Sequence, residues 1–354
     1  MMRDIREAIA GQKVCPGGVL AVGYRDRGPE VVAFGKTGAE DGAAVTADTL
    51  YDVASLTKPM ATFAVTMKLI SAGKLALDDR LDAHVPALGH RLPAVTIAHV
   101  LGHAAGFPAH RKLFEEIAGS DRPRARLFEL ACAVPLEAAP GERAVYSDIG
   151  FILLGAACED AGGERLDVLA ERLVFAPLAM TATRFVDLLA AARPDIAAAP
   201  TYYVGGRPIG GRVHDDNARS GGGILGHAGL FSTAPDVARF CAALCTLAAG
   251  EAVGGFDPDL ARTLFATAAA PGTTWRLGLD TPAADRTTSH AGTLWPQTGL
   301  GHLGFTGCSL WIEPVSGAYA VLLTNRVLFD SPPAAIRAFR AQIMDAAWRH
   351  LAAG

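Results

Sequence analysis

Short β-branched and apolar runs lie near both ends of the chain, and helical spacing fills the middle. Gly18 to Arg25 and Glu30 to Lys36 are separated by Asp26-Arg27-Gly28-Pro29, residue types that favour a turn, so the segment predicts an antiparallel hairpin. Gly304 to Glu313 and Ala318 to Thr324 repeat the arrangement around Pro314-Val315-Ser316-Gly317. Ile336, Phe339, Ile343 and Ala347 then recur at helical intervals and predict a terminal helix. Both ends are therefore expected to supply strands, joined in one sheet.

In the middle, Leu56, Met60, Phe63, Met67 and Ile70 follow a 4, 3, 4, 3 spacing and stop at Gly73, as an amphipathic helix does. Thr96 is placed to cap a short helix through Ile97, Val100 and Leu101. Ile149 to Cys158 predicts a helix ending near Gly162-Gly163, and Leu166 to Phe175 a further one. Residues 81–200 thus read as a helical insertion in an α/β domain formed by 1–80 and 201–354. Arg193 to Gly229 is dense in Gly and Pro and predicts a long loop over a site.

Composition narrows the class. With 50% hydrophobic and 19% charged residues, the chain is globular and neither disordered nor a coiled coil. A net charge of −4 is small and of the wrong sign for binding nucleic acid through phosphates. The six cysteines form no C-x-x-C pair, which removes the usual spacing of redox and zinc-thiolate sites. No run approaches about 18 apolar residues, so no membrane span is expected. The start, Arg3-Asp4-Ile5-Arg6-Glu7, lacks the apolar stretch of a signal peptide, and the expected location is cytoplasmic.

Three segments could carry chemistry. In Ser55-Leu56-Thr57-Lys58, positions i and i+3 share a helix face, so Lys58 can reach the Ser55 hydroxyl at a helix N-terminus. A serine is a poor nucleophile until a base takes its proton, and a lysine does so only with a lowered pKa. Alone the motif also fits a first-turn serine and a surface lysine. The second copy, Ser71-Ala72-Gly73-Lys74, straddles the helix stop and should not share a face. Tyr146-Ser147-Asp148 precedes a helix; a phenolate there could relay the serine proton, although Asp148 could equally be an N-cap. Gly301-His302-Leu303-Gly304-Phe305-Thr306-Gly307 leads into a C-terminal strand, where glycines admit a substrate and a backbone N–H can face an oxyanion.

In this order and spacing the three segments resemble the serine β-lactamase and penicillin-binding protein superfamily, closest to class C β-lactamases and the related carboxylesterases. That family carries Ser-x-x-Lys, Tyr-x-Asn and Lys-Thr-Gly, read here as Ser55 to Lys58, Tyr146 to Asp148 and His302 to Gly304. Leu101 to Pro108, Pro140-Gly141-Glu142, Gly226 to Thr233 and Trp311 to Pro314 look like its supporting segments. The resemblance implies an α+β fold, an antiparallel sheet flanked by helices plus an all-helical domain, with the site in the cleft between them. It also implies Ser55 as the acylated nucleophile, Lys58 and Tyr146 as a shared base, and the N–H groups of Ser55 and Phe305 as the oxyanion hole. Asp148, His302, Leu303 and Gly304 fall at substrate-binding positions. No metal or cofactor is implied.

Two positions depart from the family pattern. Asp148 replaces asparagine and adds an acid beside the lysine, while His302-Leu303 replaces Lys-Thr and removes the cation and hydroxyl that hold a β-lactam carboxylate. His302 is expected to face the cleft and titrate near its ordinary pKa of about 6.5, making recognition of anionic substrates pH-dependent. The expected function is hydrolysis of small carboxylic esters or amides through an acyl-enzyme. Alternatives are β-lactamase or D-alanyl-D-alanine peptidase activity, acyl transfer, and a non-catalytic binding protein on the same fold.

Other matches fail their context. Gly299 to Gly304 fits G-x-G-x-x-G but leads into a strand, which argues against dinucleotide binding. His99 and His103 lack the glutamate of H-E-x-x-H and are expected in packing or hydrogen bonds. His214-Asp215-Asp216-Asn217, with Tyr202 and Tyr203 upstream, fits either a pocket wall or a solvated turn. No G-x-S-x-G occurs, so the α/β-hydrolase nucleophile elbow is excluded.

Overall fold

A computed structural model describes residues 3–38, 42–89, 91–92, 94–191, 196–329 and 331–353. Its strands are β1 (Gly17–Tyr24), β2 (Arg27–Gly35), β3 (Tyr51–Asp52), β4 (Arg184–Phe185), β5 (Tyr202–Val204), β6 (Arg207–Ile209), β7 (Leu230–Ser232), β8 (Leu300–Leu303), β9 (Ser309–Glu313) and β10 (Ala318–Thr324). Five form an antiparallel sheet in the order β2-β1-β10-β9-β8, with Val19 opposite Leu323. Strands from both ends of the chain thus meet in one sheet, as the hydrophobic runs predict.

Side chains alternate between two helical layers across this sheet. Leu20, Val22, Trp311 and Leu322 pack with Phe339 and Ile343 of the terminal helix Pro333–Ala352. Val19, Ala21, Leu310 and Val321 face the other way, into the core that includes Cys241 and Leu244 of the helix Ala234–Ala248. Burial on both faces explains why the strands read as apolar runs. Helices of the middle of the chain gather around Asp148–Gly162, which packs against Ala64–Ser71, Pro123–Ala133 and Leu166–Ala170, while Arg3–Ile9 packs on the terminal helix and Pro258–Ala266 on Ala234–Ala248.

Several boundaries differ from the sequence reading. The first turn is Arg25-Asp26, and Arg27-Gly28-Pro29 already belongs to β2. Pro29 is tolerated there because β2 is a sheet edge, where a missing N–H need not break a ladder. Gly304 to Glu313 is not one strand: β8 precedes it, the chain reverses through Gly304 to Cys308, and β9 returns beside β8. The Gly304 N–H donates to Cys308 O at 2.7 Å, and Gly307 takes φ +112°, closing this turn. The helix cap at 147–148 is Ser147, whose Oγ accepts the Gly150 N–H, so Asp148 is left free to point elsewhere. Thr96 caps Ile97–Leu101 as expected, with His99 returning the bond to the Thr96 N–H. Residues 193–195 of the predicted loop lie outside the described residues; 196–229 contains the hairpin β5–β6 and the helix Asp216–Ser220.

All six cysteines are buried and unpaired. Among the described residues, no helix is long and apolar enough to cross a membrane, and no cluster of three His, Cys, Asp or Glu side chains could hold a metal.

Candidate active site

The segment around Ser55 is held from both sides. Strand β3 pairs with β7, placing Tyr51 opposite Ser232. The buried Asp52 carboxylate accepts the N–H of Ala54 at 2.8 Å and of His214 at 2.7 Å. Burial pushes the Asp52 carboxyl up to about 6 despite these two donors. Ala54 takes φ +49°, a left-handed conformation that is strained for a residue with a Cβ, and Ser55 follows directly. Thr57 locks the turn by donating to Ala54 O at 2.6 Å and accepting the Leu230 N–H at 3.1 Å. The predicted amphipathic helix then starts as a single 3₁₀ turn, Ala54–Leu56. It widens to π geometry over Lys58–Phe63 and becomes α-helical at Ala64–Ser71. Gly73 ends it at φ +67°.

Lys58 is fully buried, and its ammonium has three oxygen partners. Nζ donates to Ser55 Oγ at 3.2 Å, to Asp148 Oδ1 at 2.7 Å and to His227 O at 3.1 Å. It also lies 4.7 Å from the centre of the Tyr146 ring. Burial favours the neutral amine, but the Asp148 carboxylate and the Tyr146 phenol outweigh it and hold the Lys58 pKa above its ordinary value. Burial likewise works to protonate Asp148, yet Lys58, His110 and His227 keep it well below the carboxylate range. The Tyr146 hydroxyl interacts with both Lys58 and Ser55, and burial raises its pKa against the pull of the Lys58 cation. At rest the cluster is therefore ammonium, carboxylate and phenol.

Strand β8 and its turn form the facing wall. A Cβ on Gly304 would stand 2.4 Å from Val53 O, so only glycine lets the turn meet the Ser55 segment this closely. Thr306 Oγ1 donates to Asp52 O at 2.8 Å, and the buried Arg340 guanidinium donates to the carbonyls of Gly304, Gly307 and Cys308. Among the described residues, neither the Ser55 nor the Phe305 N–H meets an acceptor. The Phe305 ring is 61% exposed, stacked on His214 and covered by the Arg326 guanidinium at 4.6 Å.

His302 corrects the sequence expectation in its protonation and not in its place, since it is among the residues that line the cavity beside Ser55. It is only 2% exposed, and its Nδ1–H donates to Leu303 O at 2.9 Å while Nε2 has no partner. Burial, then the nearby Lys58 cation, pushes its pKa down to about 3. The imidazole is neutral where the sequence reading has it titrating near neutrality, and its ring sits beside Tyr146 and Trp275.

A cavity of about 710 Å³ opens onto Ser55, Tyr146, Asp148, Leu303, Gly304 and Phe305. His214, Asp215 and Asp216 line it as well, which favours the pocket-wall alternative for that segment; Tyr202 and Tyr203 do not. His99 and His103 part company. His99 turns back to its own cap, while His103 is buried, accepts the Ser147 N–H and packs on Tyr146 and Trp275. Sequence reasoning missed His110, whose Nδ1 is 3.2 Å from Asp148 Oδ2, and the Trp275 wall. Neither lies in a spaced motif, although His110 follows the quoted segment ending at Pro108 by two residues.

Comparison with known proteins bears on family and fold. The family model described as Beta-lactamase matches residues 2–344. An Escherichia coli (strain K12) protein named "Putative D-alanyl-D-alanine carboxypeptidase" is 33% identical over 306 residues, covering 79% of this chain and 70% of that protein. A Bacillus subtilis (strain 168) protein named "N-acetylmuramyl-L-alanine amidase" is 30% identical over 342 residues, covering 88% and 77%. Among solved structures, "EstCE1, a hydrolase with promiscuous acyltransferase activity" superposes with a TM-score of 0.75 at 20% identity, covering 98% of this chain and 99% of that one.

Proposed function

The chain belongs to the β-lactamase family, and on that premise we propose that it is a serine hydrolase that cleaves small carboxylic esters through an acyl-enzyme on Ser55. The observation that carries this reading is the convergence on Ser55 Oγ of the Lys58 amine and the Tyr146 phenol, at the mouth of a cavity. Loss of one proton from the Lys58–Tyr146 unit creates the base. That base takes the Ser55 proton as Oγ attacks the ester carbonyl, and the same proton leaves with the alcohol. The unpaired N–H groups of Ser55 and Phe305 would receive the oxyanion. Water attacking the acyl carbonyl gives its proton to the same unit, which passes it to Ser55 Oγ as the Oγ–acyl bond breaks and the acid is released. Asp148 would position Lys58, while Leu303, Gly304 and the His302 ring would border the substrate.

Esters are preferred over β-lactams because the position that holds a lysine in the family pattern carries a buried neutral imidazole, with Leu303 beside it. A carboxylate there would find neither a cation nor a hydroxyl. Residues 81–200 are proposed as a helical lobe, with the site between it and the sheet-bearing remainder. A second reading, D-alanyl-D-alanine peptidase, is favoured by the name of the Escherichia coli relative; acyl transfer draws on the EstCE1 title. One panel separates them: aryl esters of graded acyl length, a chromogenic cephalosporin, a D-alanyl-D-alanine peptide, and each ester with an added alcohol acceptor. The ester reading expects kcat/KM to be highest on a short ester, and a peptide or cephalosporin turned over faster would replace it.

A further inference from the structure

Asp148 is shared between two bases. Its Oδ1 takes the Lys58 ammonium at 2.7 Å and its Oδ2 meets His110 Nδ1 at 3.2 Å. Lys58 is fully buried, Asp148 is 15% exposed and His110 is 45% exposed, so the chain Lys58–Asp148–His110 runs from the interior to the surface. One carboxylate cannot fully compensate two cations. We propose that His110 is a positioning residue which, by sharing Asp148 with Lys58, raises the fraction of the Lys58–Tyr146 unit that has released its proton at every pH where His110 is charged. This rests on the acyl-enzyme reading of Ser55.

The charges around His110 favour its imidazolium. Asp148 comes from the start of the helix Asp148–Gly162, and Asp215 and Asp216 come from the start of Asp216–Ser220. Asp215 is itself paired with His227 and Asp216 with Arg219, while Arg111 beside His110 is paired with Glu137. The hydrogen bond to Asp148 holds the His110 pKa above its ordinary value. A protonated His110 draws on the charge that otherwise stabilises the Lys58 ammonium, so on the acid side of the profile, where His110 is charged, a larger fraction of the unit has lost its proton to solvent. The imidazolium keeps its own proton and meets no reacting atom.

The test is the pH profile of kcat/KM on one neutral ester, in wild type, His110→Asn, Asp148→Asn and the double variant. His110→Asn should move the acid limb to higher pH by about half a unit, which is about threefold in rate on the acid side. Asp148→Asn should move it to lower pH, since the anion that retains the proton is gone. In that background His110 has lost its main reason to be charged, and His110→Asn should move the limb no further. An unmoved limb in His110→Asn, or the same shift in both backgrounds, overturns the proposal. Should Asp148→Asn fail to fold, His110→Lys provides the opposing arm: a permanent cation keeps the limb at or below its wild-type position, and a limb raised as in His110→Asn overturns the idea. Phosphonate labelling of the wild type, read by peptide mass, keeps the two levels apart. An adduct absent from Ser55 refutes the acyl-enzyme reading, whereas an adduct on Ser55 with an unmoved limb refutes only the role of His110.

Discussion

Lys58 Nζ stands 2.7 Å from Asp148 Oδ1 and 3.2 Å from Ser55 Oγ, so the ammonium is tied more closely to the carboxylate than to the hydroxyl beside it. A neutral asparagine, as in the family pattern, would leave the lysine readier to act as a base. Asp148 makes the resting lysine a cation, and the proton that must be lost belongs to lysine and phenol together.

Residues that handle one proton as a unit lose activity non-additively. Lys58→Ala, Tyr146→Phe and the double variant should therefore all fall to a similar kcat/KM, at least about a hundredfold below wild type. Steady-state kinetics on one ester checks this, and losses that multiply in the double variant would show two independent roles.

Gly304→Ala should damage activity more than fold. Its Cβ would meet Val53 O at 2.4 Å and Cys308 Cβ at 3.2 Å, and neither atom belongs to a flexible side-chain end. Relief must come from moving the β8–β9 turn away from Ser55, displacing the Phe305 N–H. The expected loss is about tenfold or more in kcat, with about 1–3 kcal/mol of stability. Unchanged kcat with lowered stability would detach this turn from the reaction.

Both halves of the sheet and the order of the three motifs were legible because they rest on local patterns: apolar runs bounded by turn residues, and Ser55 and Lys58 one helical turn apart. The turn at Gly304 was not, since β8 and β9 are each too short to separate from the glycines around them. His110 and Asp148 are 38 residues apart and meet only because the helix starting at Asp148 is capped by Ser147, which turns the carboxylate toward the cleft. His302 was misread for a different reason. Its residue type and position gave the right segment, but its protonation depends on burial, which spacing does not report.

Asp52 should make the fold less stable as pH rises. Its folded pKa of about 6 lies above an unfolded value of about 3.9, so the folded state binds the proton more tightly. Stability is then lost between about pH 4 and 6 and stays lost above that, by at most about 3 kcal/mol. Urea unfolding at pH 4.5 and pH 7 should show a smaller difference between the two conditions in Asp52→Asn than in wild type. An equal difference in both proteins would mean that the Asp52 carboxylate is as well solvated as in the unfolded chain.

His302 should impose no pH dependence on substrate choice near neutrality. An imidazole that titrated near 6.5 would attract a carboxylate below that pH and release it above, so the ratio of kcat/KM for an anionic ester to that for a neutral one would fall as pH rises. Here Nδ1–H is committed to Leu303 O, the ring is buried, and Lys58 adds a second cation nearby, which together hold the pKa down to about 3. The imidazole stays neutral from about pH 5 upward, and the Lys58–Tyr146 unit acts on both esters alike, so its titration cancels in the ratio. The ratio should therefore be flat between about pH 5.5 and 7.5 in the wild type, and equally flat in His302→Phe, where no titrating group remains. A wild-type ratio that falls across this range and becomes flat in His302→Phe would show that the imidazole takes a proton when substrate binds.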